Sequence, residues 1–231
     1  MTEPLYYSKG PLIEGTFVKR DNRFVARVQP KSGTEIHKAH VPNTGRMSEL
    51  LVPGAKVALS VHDEAHRKTK YTLWAVLYKG IWVCIGARLA NDIAEQVLSH
   101  TKDIETLTRE VTYGSSRFDF SYSQKDRKVF CEVKSVNLVE RGCALFPDAP
   151  TTRGVRHLKE LTAAVGAGYG AQVLFVVQRE DATHIRAHQK MDPAFDRALI
   201  EAAQAGVAIS GIACRATSKS LEAMGTLPVI L

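Results

Sequence analysis

Along the first third of the chain, apolar residues recur at every second position in short runs broken by polar turns. This is the period of half-buried β-strands. "GTFVKRDNRFVARVQ" (residues 15–29) reads as a strand, a polar turn at Arg20-Asp21-Asn22, and a second strand in which Phe24, Ala26 and Val28 alternate. That alternation predicts a core position for the Phe24 ring. "LLVPGAKVALSVHD" carries a Pro-Gly turn and then alternating Val57, Leu59 and Val61. "KTKYTLWAVLYKGIWVCIG" reads as two strands joined at Lys79-Gly80, with Trp74 and Trp82 in apolar runs that predict core. Four or five short strands in residues 1–84 predict a small barrel. An OB-like barrel is the common form of that size, and pattern alone fits another small barrel or sandwich equally well.

Beyond residue 84 the period alternates between helix and strand. "NDIAEQVLSH" predicts a short helix with Asn91 as N-cap. "LTREVTYG", "SRFDFSYS" and "KVFCEVKSV" predict three strands. "TTRGVRHLKELTAAVG" predicts a helix capped by Thr151 or Thr152, with Val155, Leu158, Leu161 and Val165 on one face. "AQVLFVVQ" has no alternation, as a strand covered on both faces requires. "DPAFDRALIEAAQAG" predicts a helix with Pro193 near its start and Gly206 just past its end, and "VAISGIACRA" a last strand. The order α-β-β-β-α-β-α-β implies a mixed sheet flanked by helices. The expected fold class is therefore α/β (α+β) in two domains, residues 1–84 and 85–231.

Composition narrows the partner. The 231 residues carry 31 Lys+Arg against 24 Asp+Glu, a net charge of +7, which suits a polyanion because neutralised phosphates release their counterions. Many proteins with no such partner are equally basic, so charge alone does not decide. The four cysteines are scattered with no C-x-x-C pair, which argues against a zinc site or a disulfide framework and predicts a reduced, cytoplasmic setting. "MTEPLYYSKG" lacks an apolar signal core, and no run approaches a membrane span, so no membrane partner is expected.

The chemistry concentrates in "FDFSYSQKDRKVFCEVKS" (residues 118–135). On the second strand Glu132 and Lys134 share a face with Phe130, opposite Val129, Cys131 and Val133. Strict alternation on the first strand puts Phe118 and Phe120 on one face, and Arg117 and Asp119 on the other. If the two strands are antiparallel neighbours, Asp119, Glu132 and Lys134 meet on one face. Two close carboxylates resist double ionisation unless a cation lies between them, and a hard divalent ion such as Mg²⁺ or Mn²⁺ suits oxygen donors. Lys134 would orient a water or stabilise charge on a phosphate oxygen. A bare E-x-K also arises by chance, and the alternative is a solvent-facing hairpin with a cross-strand ion pair.

Helix, strand trio, E-x-K, helix and strand together resemble the PD-(D/E)xK nuclease superfamily. More narrowly, "RFVARV", "HVPNTGRM", "GSSRFDF", "CEVKSV", "LFPDAPTTRGVRHLKEL" and "DPAF" resemble the sugar fermentation stimulation protein A family, over most of the chain. The resemblance implies an N-terminal OB-like domain, a C-terminal nuclease-like domain, DNA binding and a regulatory role in sugar (maltose) utilisation. It implies Asp119 and Glu132 as metal ligands and Lys134 as the catalytic lysine. Some superfamily members add an acid from the first helix, for which Glu95 is the candidate and Asp92 the lesser one. The literal Pro147-Asp148 is not followed by E-x-K, and it marks a turn before a helix instead.

DNA contacts are expected from basic groups near this site. Arg153, Arg156, His157 and Lys159 open a helix whose dipole favours phosphate, with a solvated basic face as the alternative. Arg117 would clamp a phosphate or pair with Asp119. In the barrel, Arg20, Arg23 and Arg27 cluster on a hairpin near Phe24 and Tyr71, the mixture that single-strand-binding barrels use. The turn-rich "HVPNTGRM", with His40, Asn43 and Arg46, would contact DNA or brace the domains.

Overall fold

A computed structural model describes residues 11–64 and 66–231, together with the backbone of Tyr6 and Tyr7; the rest of "MTEPLYYSKG" lies outside the described residues. The strand β1 (Tyr6–Tyr7) precedes the first long hairpin, β2 (Leu12–Asn22) and β3 (Val25–Pro30). β4 (His37–His40), β5 (Lys56–Val61) and β6 (Tyr71–Tyr78) follow. β2 pairs with β3 and β5, β3 with β4, β5 with β6, and a parallel β4–β6 contact closes a five-stranded barrel. Register shifts in β2, between Phe17 and Lys19 and between Arg20 and Asn22, bend the strand as closure requires. Phe17, Ala26, Val28, Val57, Leu59 and Leu73 fill the interior. Tyr71 is also buried there, so its ring is not a stacking surface.

Phe24 departs from the alternation. It is 54% exposed, although Ala26 and Val28 point inward. Asn22 Oδ1 accepts the N–H of Phe24 at 2.9 Å and of Val25 at 3.1 Å. This side-chain-made turn delays the start of the strand until Val25, so the period of two does not reach Phe24.

β6 and β7 (Ile81–Cys84) turn at Lys79 and Gly80, both with positive φ, as a two-residue hairpin demands. Trp82 of β7 pairs with Ala216 of the second domain's sheet, so one set of strands runs through both halves. The second half comprises α1 (Ala87–Ser99), β8 (Ile104–Tyr113), β9 (Ser116–Gln124), β10 (Arg127–Val136), β11 (Val139–Glu140) and β12 (Cys143–Phe146). It continues with α2 (Thr152–Gly166), β13 (Gly170–Val177), β14 (His184–Ala187), α3 (Pro193–Gln204), β15 (Ala208–Ala216) and β16 (Ser220–Thr226). The main sheet runs β15-β13-β10-β9-β8, with β13 parallel to both neighbours, β9 antiparallel to β10, and β16 antiparallel to β15. α1 covers one face through Ala90, Ile93, Ala94 and Leu98 against Cys131, Val133 and Leu174. α2 and α3 cover the other through Leu158, Leu161, Phe195 and Leu199 against Phe130, Val173 and Phe175. β10 and β13 are thus buried on both sides, and this is why "AQVLFVVQ" shows no alternation.

Two expectations need correction. α1 begins at Ala87, after Gly86, with no side-chain cap. A search for a capping residue therefore overshoots to Asn91, which sits in the second turn. The short β11, β12 and β14, which form a separate small sheet, and β16 are also absent from the pattern reading. The two to four residues of β11, β12 and β14 carry too little period to register, and the seven of β16, "SLEAMGT", include no aromatic and one β-branched residue. α2 and α3 start as expected: Thr151 Oγ1 accepts from Gly154 N at 3.0 Å, and Asp192 Oδ1 from Phe195 N at 3.0 Å.

Buried polar groups fix the junction of the halves. Gln178, fully buried, donates to Gly86 O at 2.9 Å and accepts from Ser135 Oγ at 2.7 Å, while its carbonyl accepts from Cys84 N at 3.1 Å. Arg179, 1% exposed, donates to Asn137 O, forks onto Asp181 and lies over the Tyr78 ring. Asn43 of "HVPNTGRM" donates to Ile85 O at 3.0 Å and Asn137 Oδ1 at 3.1 Å, so this loop braces the domains. Replacing Gln178 by Ala removes these side-chain partners and leaves a void. Gln178→Ala is expected to lower unfolding free energy by about 2–4 kcal/mol in a denaturant titration.

Candidate functional site

The site forms where β9 and β10 separate. Their ladder ends at Phe120↔Cys131. Beyond it the Asp119 carboxylate takes the place of a strand: Oδ2 accepts the Val133 N–H at 2.8 Å, and Oδ1 accepts Asn91 Nδ2 at 2.8 Å. Strict alternation does not hold on β9. Phe120 packs on the α1 face and Phe118 on the α2 face. β8 turns over at the same level, with Arg109 opposite Phe120, Val111 opposite Phe118, and Glu110 between them at a positive φ of 57°. The left-handed residue lets the two-strand ribbon rotate, and Asp119, at the point of reversal, points toward β10.

On β10, Glu132 and Lys134 project together to the α2 side and are 5% and 8% exposed. Lys134 Nζ donates to Glu132 Oε1 at 2.7 Å. His157, 1% exposed, brings Nδ1 to 2.6 Å from the same oxygen, a close polar contact without good hydrogen-bond alignment. Arg153 Nε donates to His157 Nε2 at 3.2 Å, which makes that nitrogen an acceptor and turns the proton of the neutral ring toward Glu132. Glu132 Oε2 is buried and has no hydrogen-bond partner among the described residues.

The two carboxyls titrate in opposite directions. Burial and then the neighbouring Glu132 push the Asp119 carboxyl above its ordinary value, against the hydrogen bonds from Val133 and Asn91. Burial also works to raise Glu132, but Lys134 and His157 outweigh it and hold this carboxyl below the ordinary range.

Glu132 and Lys134 form part of the wall of a cleft of about 860 Å³ between barrel and sheet. Its lining holds five cationic side chains, Arg20, Arg23, Arg46, Lys134 and Arg153, and two carboxylates, Glu132 and Asp148. Arg23, Arg46 and Arg153 are exposed. Arg20 is committed to structure: its guanidinium donates to the carbonyls of Asn22, Arg23, Asn43, Gly45 and Arg46, locking the β2–β3 tip to "HVPNTGRM". The remaining predicted groups lie elsewhere. Arg27 pairs with Asp21 at 2.7 Å, and Arg117 pairs with Glu110 at 2.8 Å and not with Asp119. Arg156 is exposed on α2 outside the cleft lining. Glu95 lies 3.6 Å from Arg109, which also holds Asp92 at 2.8 Å.

The helix residue that reaches Asp119 is thus Asn91, which the sequence reading spent on a cap. The signal that could have identified it is the earlier helix start, since four residues after Ala87 fall on the same face. Among the described residues no group of three or more His, Cys, Asp and Glu side chains is placed to hold a metal ion. Among the same residues, no helix is long and apolar enough to cross a membrane.

Comparison with known proteins places this arrangement. Residues 87–220 match the family model described as "Sugar fermentation stimulation protein RE domain", and residues 18–85 the "SfsA N-terminal OB domain". A sugar fermentation stimulation protein homolog of Alkaliphilus metalliredigens is 46% identical over 219 residues, covering 91% of this chain and 93% of the relative. One from Natranaerobius thermophilus is 43% identical, covering 94% of each. The solved structure of Pyrococcus furiosus SfsA in complex with Ca²⁺ superposes with a TM-score of 0.88 at 30% identity, over 100% of both chains. The chain belongs to the sugar fermentation stimulation protein (SfsA) family.

Proposed function

We propose that this chain binds DNA in the cleft between its domains and hydrolyses phosphodiester bonds there with a divalent cation, Mg²⁺ or Mn²⁺. The observation that carries the reading is Glu132 Oε2, a buried carboxylate oxygen with no partner in the wall of a cleft rich in arginine. Such an oxygen is costly unless something binds it. Asp119 and Glu132 would hold the ion, and they fit it: both are largely buried, and Glu132 raises the cost of ionising Asp119 in its absence. The Ca²⁺ in the Pyrococcus furiosus relative supports an oxygen-ligated cation.

When bound, the ion supplies Lewis acidity at a phosphate oxygen. The chain's own groups do the rest. Arg23, Arg46 and Arg153 attract the phosphates. Lys134 has three N–H donors and gives one to Glu132, which leaves two for a phosphate oxygen or the attacking water. His157 and Lys134 hold Glu132 ionised and in one orientation. In this reading the protein works in the cytoplasm, and the family's link to sugar fermentation reaches it through DNA.

A second reading keeps the DNA cleft and drops turnover: a regulator of transcription. It is favoured by Asn91, whose neutral amide reaches Asp119 from α1, where a third carboxylate would complete a stronger metal site.

Two outcomes test the proposal. With Mg²⁺ or Mn²⁺ the wild type is expected to cut plasmid or oligonucleotide DNA. Lys134→Ala and Asp119→Ala lose at least about 100-fold in rate while binding DNA in EDTA as the wild type does. Binding without metal-dependent cutting by the wild type would establish the regulator instead. The second outcome concerns stability. Folding raises the pKa of Asp119, so its charge costs stability that builds as pH rises through the folded pKa and is absent below the ordinary value of 3.8. Asp119→Asn is therefore expected to raise the thermal midpoint of the metal-free protein at pH 7, by less as the pH falls toward about 4. Added Mg²⁺ should stabilise the wild type and leave the variant unmoved.

A further inference from the structure

The β2–β3 tip carries an aromatic ring that the barrel does not use. Phe24 is 54% exposed, whereas the other Phe side chains of the barrel and sheet, such as Phe17, Phe118 and Phe120, are buried. The tip is rigid. Asn22 Oδ1 holds the N–H groups of Phe24 and Val25, the Phe24 carbonyl accepts from Val41 N at 2.8 Å, and Arg20 ties the Arg23 carbonyl to those of Asn43, Gly45 and Arg46. The residues before Phe24, Asn22 and Arg23, line the cleft that contains Glu132 and Lys134. An exposed ring is therefore held on a hydrogen-bonded backbone directly after two residues of the cleft lining.

We infer that Phe24 is a stacking platform for an unpaired base, and that the cleft takes single-stranded or frayed DNA in preference to intact duplex. The inference rests on the reading of the cleft as a DNA site and adds its substrate class. Three physical points lead to it. A base inside a duplex is already stacked on both faces, so only an unpaired or terminal base has a face to offer the ring. Glu132 and Lys134 are almost fully buried in the cleft wall, so a phosphodiester has to be drawn in to reach them, which a flexible single strand does more readily than a stiff duplex. The cleft lining adds exposed Arg23 and Arg46, and neither forms an ion pair among the described residues, so the phosphates of a strand stacked on the ring have cations within the same cleft to meet. Asp148 opposes them in the cleft, and it lies against Gly45 and close to Arg20 rather than at the tip.

Stacking and charge make separable predictions. Affinity for labelled single-stranded, forked and duplex oligonucleotides would be measured in EDTA over a range of salt, using wild type, Phe24→Ala and Phe24→Trp. Phe24→Ala is expected to weaken single-strand and fork binding by about 5- to 100-fold with an unchanged salt slope, and duplex binding by less than about twofold. Phe24→Trp should bind single strands at least as tightly as wild type. A 2-aminopurine base placed along the strand should be quenched by wild type and not by Phe24→Ala. Because the ring is exposed, the alanine variant is expected to unfold at the wild-type midpoint, and the tryptophan variant carries the same test without truncation. Equal losses on duplex and single strand, or no loss on either, would overturn the inference while leaving the DNA site in place. If wild type shows no salt-dependent affinity for any of the three DNAs, the proposed function itself falls, and the stacking role falls with it.

Discussion

The buried carboxylate of Glu132 is the constraint around which the second domain is arranged. A charge at that depth is tolerated only with cationic or hydrogen-bonding partners close at hand. Lys134 comes from the same strand two residues on, and His157 from the helix packed over it, steadied by Arg153 from the turn below. Both carboxylate contacts fall on one oxygen and the second is left without a partner. The strand, the helix and the cleft wall are therefore held in register by the same group that gives the site its reason to bind something.

Asp119 depends on a different device. Its carboxylate reaches Val133 because the β8–β9 ribbon turns over at Glu110 and Asp119, sending Phe118 and Phe120 to opposite faces of the sheet. This reversal also splits the sheet, and α1 enters at the split with Asn91. The two carboxyls then sit in unlike settings, one held down by Lys134 and His157 and the other pushed up by burial and by its neighbour. Groups whose environments drive their pKa values apart are typical of sites that bind or transform a ligand.

The barrel contributes position rather than chemistry. Asn43, Gln178, Asn137 and Arg179 knit it to the sheet through buried hydrogen bonds, and Arg20 fastens the β2–β3 tip to the junction loop. Basic side chains from the barrel are thereby fixed across a gap from Glu132 and Lys134. Of the predicted arginines, Arg20, Arg23, Arg46 and Arg153 line the gap, Arg156 lies outside its lining, and Arg27 and Arg117 pair with local carboxylates.

The sequence by itself determined the family, the two-domain order, the barrel hairpins, the doubly covered strand β13, and the starts of α2 and α3. All but the family are written in short-range terms: a period of two or 3.6, a turn pair such as Lys79-Gly80, a cap such as Thr151, a proline such as Pro193 in a first helical turn. It also placed Glu132 and Lys134 on one face, because two residues on one regular strand need no further information. Tertiary structure alone decided what the alternation could not reach. Phe24 left the core because Asn22 captured its backbone N–H; Asp119 changed direction because a neighbouring strand rotated; and Asn91 became a site residue because its helix began a turn early without a cap. The first is a side-chain turn two residues long that interrupts the alternation, and the other two hang on contacts between residues far apart in sequence and on a backbone conformation that no residue type announces. Hydrophobic periodicity describes elements once they are regular, and it is silent where regularity is broken to make a site.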